Sequence, residues 1–163
     1  MDFRIVKMTS DMAEDFGYVI YTAWGETYRG LMPDSVLDGR SLEKWTEMAG
    51  KRPENKLAAV CGGRVVGIVG YLPQARDFVT NKDSGEIVAL YVLKDFHKCG
   101  IGRALVEKAL EDIRYPNVTL FVLKGNENAV GFYRKMGFEF TGKEVSQEVN
   151  GDTVTELEML LRR

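Results

Sequence analysis

Two glycines separated by one residue, Gly100 and Gly102, mark the stretch of this chain best suited to binding a ligand. An apolar run from Glu86 to Leu93 precedes them, and small apolar residues at helical spacing follow. The N–H groups at a helix start point at a bound anion, and the helix dipole favours it by about 0.3–1 kcal/mol. Glycine lets the backbone approach that anion closely. Strand, glycine loop and helix therefore predict a phosphate-binding site.

The spacing does not fit two common phosphate-binding loops. A dinucleotide-binding loop needs a third glycine three residues after the second, where this chain has Leu105, and no acidic ribose anchor is evident further on. A Walker loop ends in Gly-Lys-Ser or Gly-Lys-Thr, whereas Gly102 is followed by Arg103-Ala104. The strand also comes after more than half the chain, while a dinucleotide fold usually opens with it.

The elements around the loop predict a mixed sheet. The run from 86 to 93 and a second apolar run, 118–123, both read as strands buried on both faces. A helix from about 100 to 113 connects them, and such a crossover makes the two strands parallel. The pairs Gly62-Gly63 and Asn150-Gly151 predict hairpins. We therefore expect antiparallel strands at both ends of the sheet and one parallel pair in the middle.

Size and composition predict an ordinary globular protein. At 163 residues the chain is expected to form one domain, 1–163, with a full core. A net charge of −2 gives no reason to expect nucleic acid or an anionic membrane as the partner. The start of the chain lacks the layout of a signal peptide, and no apolar run approaches a membrane span. Cys61 and Cys99 lie far apart and form no metal or redox motif, so we expect a reduced, cytoplasmic protein.

Two blocks of this sequence resemble the signature of the GNAT superfamily of N-acetyltransferases. The first is Leu90-Tyr91-Val92 followed by Lys98-Cys99-Gly100-Ile101-Gly102, similar to the family's strand and its Gln/Arg-x-x-Gly-x-Gly/Ala loop. One position departs from it, because His97 stands where Gln or Arg is expected. The second block runs from Asn126 to Phe138 and resembles Asn-x-x-Ala-x-x-Phe-Tyr-x-x-x-Gly-Phe. The detailed resemblance covers about residues 57 to 140.

The resemblance implies a fold and a co-substrate. The fold is α/β (α+β), with a mixed, mostly antiparallel sheet of six to seven strands, a splayed parallel pair and about four flanking helices. The co-substrate is acetyl-CoA, and no metal is implied. The splay frees backbone groups that the pantetheine arm can pair with. The implied contacts are the strand backbone at Leu90, Tyr91 and Val92, the pyrophosphate loop of Lys98, Cys99, Gly100, Ile101, Gly102 and Arg103, and the side chains of Asn126 and Tyr133.

The resemblance also implies the catalytic groups. Glu86, 14 positions before Gly100, stands where the histone-acetylating branch of the family carries its catalytic glutamate, and a surface glutamate at a strand start is the equal alternative. Tyr133 matches the family tyrosine that protonates the departing thiolate; its alternative is a core aromatic. Cys99 lies in the phosphate loop, so an acetyl-cysteine intermediate is not expected. We expect His97 to be an exposed loop residue.

The acceptor is a primary amine, but its identity is left open by the sequence. In the family the first helical region forms part of the acceptor wall, which here offers Trp24, Glu26 and Tyr28, with Met32 nearby; core packing is the alternative for each. A small amine such as a polyamine is favoured, a protein N-terminus or lysine is the second hypothesis, and an inactive acyl-CoA-binding sensor is the third. Homodimers are frequent in the family, and the sequence has no signal of its own for one.

Overall fold

A seven-stranded mixed sheet with the strand order β1-β2-β3-β4-β5-β7-β6 forms the centre of the computed structural model, which describes residues 1 to 163. Only β4 and β5 run parallel. This confirms the predicted mixed sheet with one parallel pair, flanked by five helices where about four were expected. The strands are Arg4–Lys7 (β1), Lys56–Cys61 (β2), Arg64–Leu72 (β3), Ser84–Val92 (β4), Asn117–Leu123 (β5), Glu139–Val149 (β6) and Asp152–Arg162 (β7), and the helices are Ala13–Tyr28 (α1), Asp34–Asp38 (α2), Leu42–Gly50 (α3), Ile101–Asp112 (α4) and Glu127–Lys135 (α5).

The predicted turns form with the expected residues. Gly62 and Gly63 have φ values of 56° and 80° and join β2 to β3. Asn150 and Gly151, at 53° and 84°, join β6 to β7. Two consecutive left-handed residues match the twist of antiparallel strands, which is why glycine and asparagine are favoured there. Both predicted hairpins are confirmed.

Helices cover both faces of the sheet. On one face, Val19 and its neighbours on α1 pack against residues such as Ile68 of β3. On the other face, α4 and α5 contribute Leu105 and Tyr133 to the larger core cluster. None of the helices is both long and apolar enough to cross a membrane. The sheet is therefore the middle of three layers.

Gly85 allows the end of α4 to lie against β4. A Cβ built on Gly85 would come within 2.4 Å of Cγ2 of Ile113 and 3.1 Å of two carbonyl oxygens. We expect Gly85→Ala to destabilise the fold by about 1–3 kcal/mol, the usual effect of overpacking. Gly131→Ala is the matched control: it lies in α5 with nothing within 4 Å of its Cβ position, and should leave stability equal or slightly higher. Urea unfolding of both variants tests this, and equal midpoints would contradict it.

The parallel pair separates after four residue pairs. Pairing runs from Ser84↔Asn117 to Ile87↔Leu120 and then stops. Val88 has no partner on β3, because the register shifts there, and its side chain is 43% exposed. The remaining residues of β4, 89–92, are only half-buried. The prediction that 86–93 is buried on both faces is therefore wrong for 88–92, because β4 diverges from β5 at this bulge, whereas Leu93 is buried.

Candidate functional site

The gap between β4 and β5 is lined by the strand residues predicted to hold a ligand. Leu90, Tyr91 and Val92 pair with β3 along one edge, and no strand pairs with them along the other. In an antiparallel ladder alternate residues point their N–H and C=O groups away from the partner strand. Leu90 and Val92 pack towards α4, and Tyr91 packs towards α1. The gap thus offers unpaired backbone groups to a chain of amides, as buried backbone requires.

The glycine loop opens into α4 with free donors. Lys98 and Gly100 have φ values of 61° and 82°, so the chain turns sharply into the helix. No side chain caps α4, and the N–H groups of Ile101, Gly102 and Arg103 have no acceptor within the chain. Such a helix start binds anions through its backbone. The geometry therefore fits the phosphate site predicted from the sequence.

His97 has a structural contact that the sequence did not predict. Its Nε2 lies 2.8 Å from the carbonyl oxygen of Val92. Since a carbonyl only accepts, Nε2 carries the proton in this contact. The imidazole thereby ties the glycine loop to the last residue of β4. His97, which stands where the family pattern has Gln or Arg, therefore has a structural contact of its own. The predicted phosphate contacts come from the backbone and do not need this side chain.

Asn126 combines capping with a free amide group. Its Oδ1 accepts a hydrogen bond of 3.2 Å from the N–H of Ala129 and so caps α5. The residue is 6% exposed. Its NH₂ group makes no hydrogen bond within the chain and is not fully enclosed. Asn126 thus caps α5, and its amide still has two donors for a ligand in the gap.

Tyr133 lies on α5 with its ring in the core. The ring packs edge-on against Phe132 and Phe138, with centroids 5.1 and 5.6 Å away. Its hydroxyl makes no hydrogen bond within the chain. Burial, and to a lesser degree the nearby Tyr28 phenol, raises the pKa of Tyr133 above its usual value. The phenol is therefore protonated at neutral pH and available to donate, while its role in catalysis stays a prediction.

Glu86 is fully buried, and its carboxylate forms an ion pair with Arg76. The Arg76 N–H donates to Oε2 at 3.1 Å, and Arg76 Nε donates to Oε1 at 3.0 Å. A second guanidinium nitrogen also donates to Oε1. Arg76 lies in the loop between β3 and β4. Both oxygens of Glu86 thus have partners, and its function as a base stays a prediction.

The three predicted acceptor residues separate into two groups. The Trp24 ring lies 5.1 Å from Tyr28 and 6.5 Å from Tyr91, edge-on to the first and tilted to the second. Trp24 Nε1 is enclosed and has no hydrogen-bond partner. Glu26 is exposed, and its Oε2 instead accepts from the N–H of Lys94 at 3.0 Å, just before the glycine loop. Trp24 and Tyr28 therefore form an aromatic wall on the α1 side of the gap, and Glu26 holds the loop.

Sequence reasoning missed Glu156 on β7. It lies opposite Leu123, at the end of β5, and is partly buried. It makes no hydrogen bond or ion pair. Burial raises the pKa of the Glu156 carboxyl, Glu86 raises it further, and Arg76 opposes them. The alternation Glu156-Leu157-Glu158 is typical of a strand with a solvated face, so no sequence signal identified this residue.

Glu158, two residues along β7, is also buried. The Thr80 N–H donates to its Oε1 at 2.8 Å, and the hydroxyls of Thr80 and Thr141 donate to its Oε2. These bonds satisfy a carboxylate that is 1% exposed. They also fasten the β3–β4 loop to β7.

Comparisons with known proteins agree with this geometry. The model of the acetyltransferase (GNAT) family matches residues 17–138. An N-acetyltransferase of Archaeoglobus fulgidus that is itself uncharacterised is 31% identical over 136 residues, covering 80% of this chain and 88% of the relative. The crystal structure of the PaiA N-acetyltransferase of Thermoplasma acidophilum in complex with coenzyme A superposes with a TM-score of 0.75 at 19% identity, over the whole of both chains.

Two further relatives have higher identity over a shorter stretch. The peptidyl-lysine N-acetyltransferase YjaB of Escherichia coli is 49% identical over 55 residues, which is 34% of this chain and 36% of YjaB. Its counterpart in Salmonella typhimurium is 39% identical over 84 residues, or 45% of this chain and 57% of the relative. The two alignments span 36% and 57% of the YjaB proteins, which is less than two thirds of either one.

Proposed function

The chain belongs to the GNAT family of acetyltransferases, which use acetyl-CoA, and on this basis we propose that it acetylates a primary amine by direct attack in a ternary complex. The observation that carries the proposal is the gap between β4 and β5. The free N–H groups at the start of α4 follow the open end of β4, and Tyr133 packs in the same core cluster as Leu90 and Val92. Glu86 lies near the start of β4. These are the groups that amide formation from a thioester needs.

Residues of three elements support acetyl-CoA binding. The pyrophosphate would meet the backbone of the glycine loop, from Lys98 to Arg103. The pantetheine arm would pair with Leu90, Tyr91 and Val92, where β4 has lost its neighbour. The Asn126 amide would donate to the same arm. Since most of these contacts would be made by backbone groups, recognition would depend on the shape of the ligand and on its hydrogen-bonding groups.

The amine has to lose a proton before it attacks. A lysine-like amine has a pKa of about 10.4, so at pH 7 only about one molecule in 2,500 is neutral. That population corresponds to about 4.6 kcal/mol, so a carboxylate that receives the proton has a large effect. Glu86 was expected in this role from the resemblance.

The departing thiolate then needs a proton. Tyr133 is proposed to supply it, because its hydroxyl has no competing acceptor in the chain and burial keeps it protonated. A phenol protonates a thiolate efficiently only when the two are held close, out of water. The enclosed position of Tyr133 between Phe132 and Phe138 supports such an arrangement.

Two acceptor classes follow from the observations. A small amine such as a polyamine was favoured by the sequence. The lysine side chain of a protein is the second candidate, and the similarity to peptidyl-lysine N-acetyltransferase YjaB favours it. Both present an alkylammonium group, so the same groups at the site would receive either.

A panel of amines tests the proposal. We expect thiol release from acetyl-CoA to rise and saturate with at least one of spermidine, glucosamine, an amino acid and a lysine-containing peptide. Which one does so identifies the acceptor class. Coenzyme A binding measured in parallel is the control. If coenzyme A binds but no amine raises thiol release above the background with water, the chain is a binding domain and the catalytic proposal is wrong.

A further inference from the structure

We propose that Glu156, rather than Glu86, accepts the proton of the attacking amine, which makes a cationic primary amine the acceptor. This inference rests on the proposed acetyl transfer. It assigns the base to β7, a strand that contributes nothing to the sequence signature. It also places the positively charged amine of the substrate on the α1 side of the gap.

Three glutamates of β4 and β7 lie on the α1 face of the sheet, and two of them already have hydrogen-bond partners. Glu86 is held by Arg76, and Glu158 by Thr80 and Thr141. A carboxylate with both oxygens hydrogen-bonded would have to break those bonds before taking a proton. Only Glu156 has no hydrogen bond or ion pair, and it is partly exposed. It is the free carboxylate of the three.

Glu156 and Tyr133 approach the gap from opposite faces of the sheet. Tyr133 belongs to the core cluster on the α4 and α5 side, as does Leu157, so Glu156 points to the other side. Tyr28 packs against Trp24 on the α1 side. A thioester in the gap would thus have a proton acceptor on the amine side and a proton donor on the thiolate side.

A surface cavity of about 210 Å³ lies next to Glu156 in the sheet. It is lined by the α1–α2 connection, the end of β5 and the start of β7, including Met32, Leu123 and Val154. Leu123 is the register partner of Glu156, and Val154 precedes it on the same face. Glu156 itself is partly exposed, so an alkyl chain bound in this cavity would lie beside its strand position.

The charges around Glu156 leave a negative surplus. Arg76 of the β3–β4 loop lowers the pKa of the Glu156 carboxyl and Glu86 of β4 raises it, while Glu156 raises the pKa of the Tyr28 phenol. Arg76 is neutralised by Glu86. Lys124, at the end of β5, is paired with Glu144 of β6 at the surface, 3.0 Å apart. The free carboxylate is therefore available to an incoming ammonium group.

The proposed step balances as follows. The ammonium gives one proton to the Glu156 carboxylate, and the neutral nitrogen forms a bond to the thioester carbon. The carbon–sulfur bond then breaks, and the thiolate takes a proton from Tyr133. The new amide nitrogen loses its second proton, which restores Tyr133, and Glu156 releases its proton to water. One proton is released for each amide formed.

The test is the pH dependence of Glu156→Gln, with spermidine and a lysine-containing peptide as probes. At pH 7 we expect kcat/KM to fall about 10²–10⁴-fold, the usual contribution of a general base. The deficit should narrow as pH rises, because more of the amine is then already neutral. Affinity for coenzyme A should stay within about twofold. Glu148→Gln, an exposed carboxylate on β6, is the matched control and should behave like the wild type.

A second readout does not depend on activity. The pKa of Glu156 is raised on folding, so the folded chain holds its proton to higher pH than the unfolded chain does. Folding stability therefore falls as pH rises from about 4.5 through the raised value. Glu156→Gln removes this loss and should raise Tm by a few degrees at pH 8, with a smaller gain towards pH 5.

Two results would overturn the inference. If Glu156→Gln matches Glu148→Gln in rate and pH profile, or if Glu86→Gln alone produces the pH-dependent deficit, the base is not Glu156, although acetyl transfer itself would stand. If the wild-type chain binds coenzyme A but releases no thiol with any amine, the proposed function fails and the inference with it.

Discussion

Gly102→Val is expected to abolish coenzyme A binding. Gly102 is the second residue of α4, and its N–H is one of three at this helix start without an acceptor. Branched methyl groups there would hold a pyrophosphate away from the backbone. Losing two hydrogen bonds to a charged ligand, at about 1.5–3 kcal/mol each, lowers affinity at least about 100-fold. Isothermal titration calorimetry with coenzyme A measures the effect.

The chain itself should tolerate a side chain at Gly102. A Cβ built there would lie 3.5 Å from Cζ of Phe132 and 3.9 Å from Cγ2 of Val92, which are ordinary contacts. Gly102→Ala should therefore keep the fold and show an intermediate loss of affinity. Gly50→Val, at the end of α3, is the matched control and should bind normally. Normal binding by Gly102→Val would mean that the loop does not hold the pyrophosphate.

Tyr133→Phe is expected to lower turnover about 100-fold or more while coenzyme A affinity changes little. The substitution removes only a hydroxyl that makes no hydrogen bond within the chain. Folding stability should therefore be unaffected, and the packing against Phe132 and Phe138 remains. The loss would reflect a thiolate that departs without a proton donor. Single-turnover measurements with a saturating amine separate this step from binding.

The control for Tyr133→Phe is Tyr18→Phe, which removes a hydroxyl from an exposed position on α1. It should have wild-type turnover. An unchanged turnover in Tyr133→Phe would remove the tyrosine from the mechanism. A parallel loss of turnover and of coenzyme A affinity would instead indicate that the hydroxyl binds the cofactor arm.

The parts of this molecule that the sequence predicts are those encoded by local patterns. Gly100 and Gly102 identify the loop because the chain there requires a left-handed residue and close access to the backbone. Asn126 identifies the start of α5 because a capping side chain acts on a residue only three positions away. The two hairpins follow from short turns, and the parallel pair follows from a single crossover. Each of these depends on neighbours in sequence.

What the sequence does not predict depends on contacts between distant segments. The bulge at Val88 comes from a register shift against β3, and an apolar run contains no sign of it. Arg76 pairs with Glu86 because a loop folds back over the strand. Glu156 belongs to the site because β7 adds to β5, far along the chain. The same residue types occur elsewhere on the surface, so only the fold distinguishes them.

The opening of β4 from β5 also divides the sheet into two halves, each continuous in sequence. Residues 4–92 include β1 to β4, and residues 117–162 include β5 to β7, and only four residue pairs between β4 and β5 join the two halves. A ligand in the gap would contact both halves and complete the sheet that the chain leaves open. Any ligand that binds only the folded state adds to its stability, about 2.7 kcal/mol at 100 times its Kd. The cellular supply of acetyl-CoA would thus help to set how long this protein survives proteolysis, besides how fast it works.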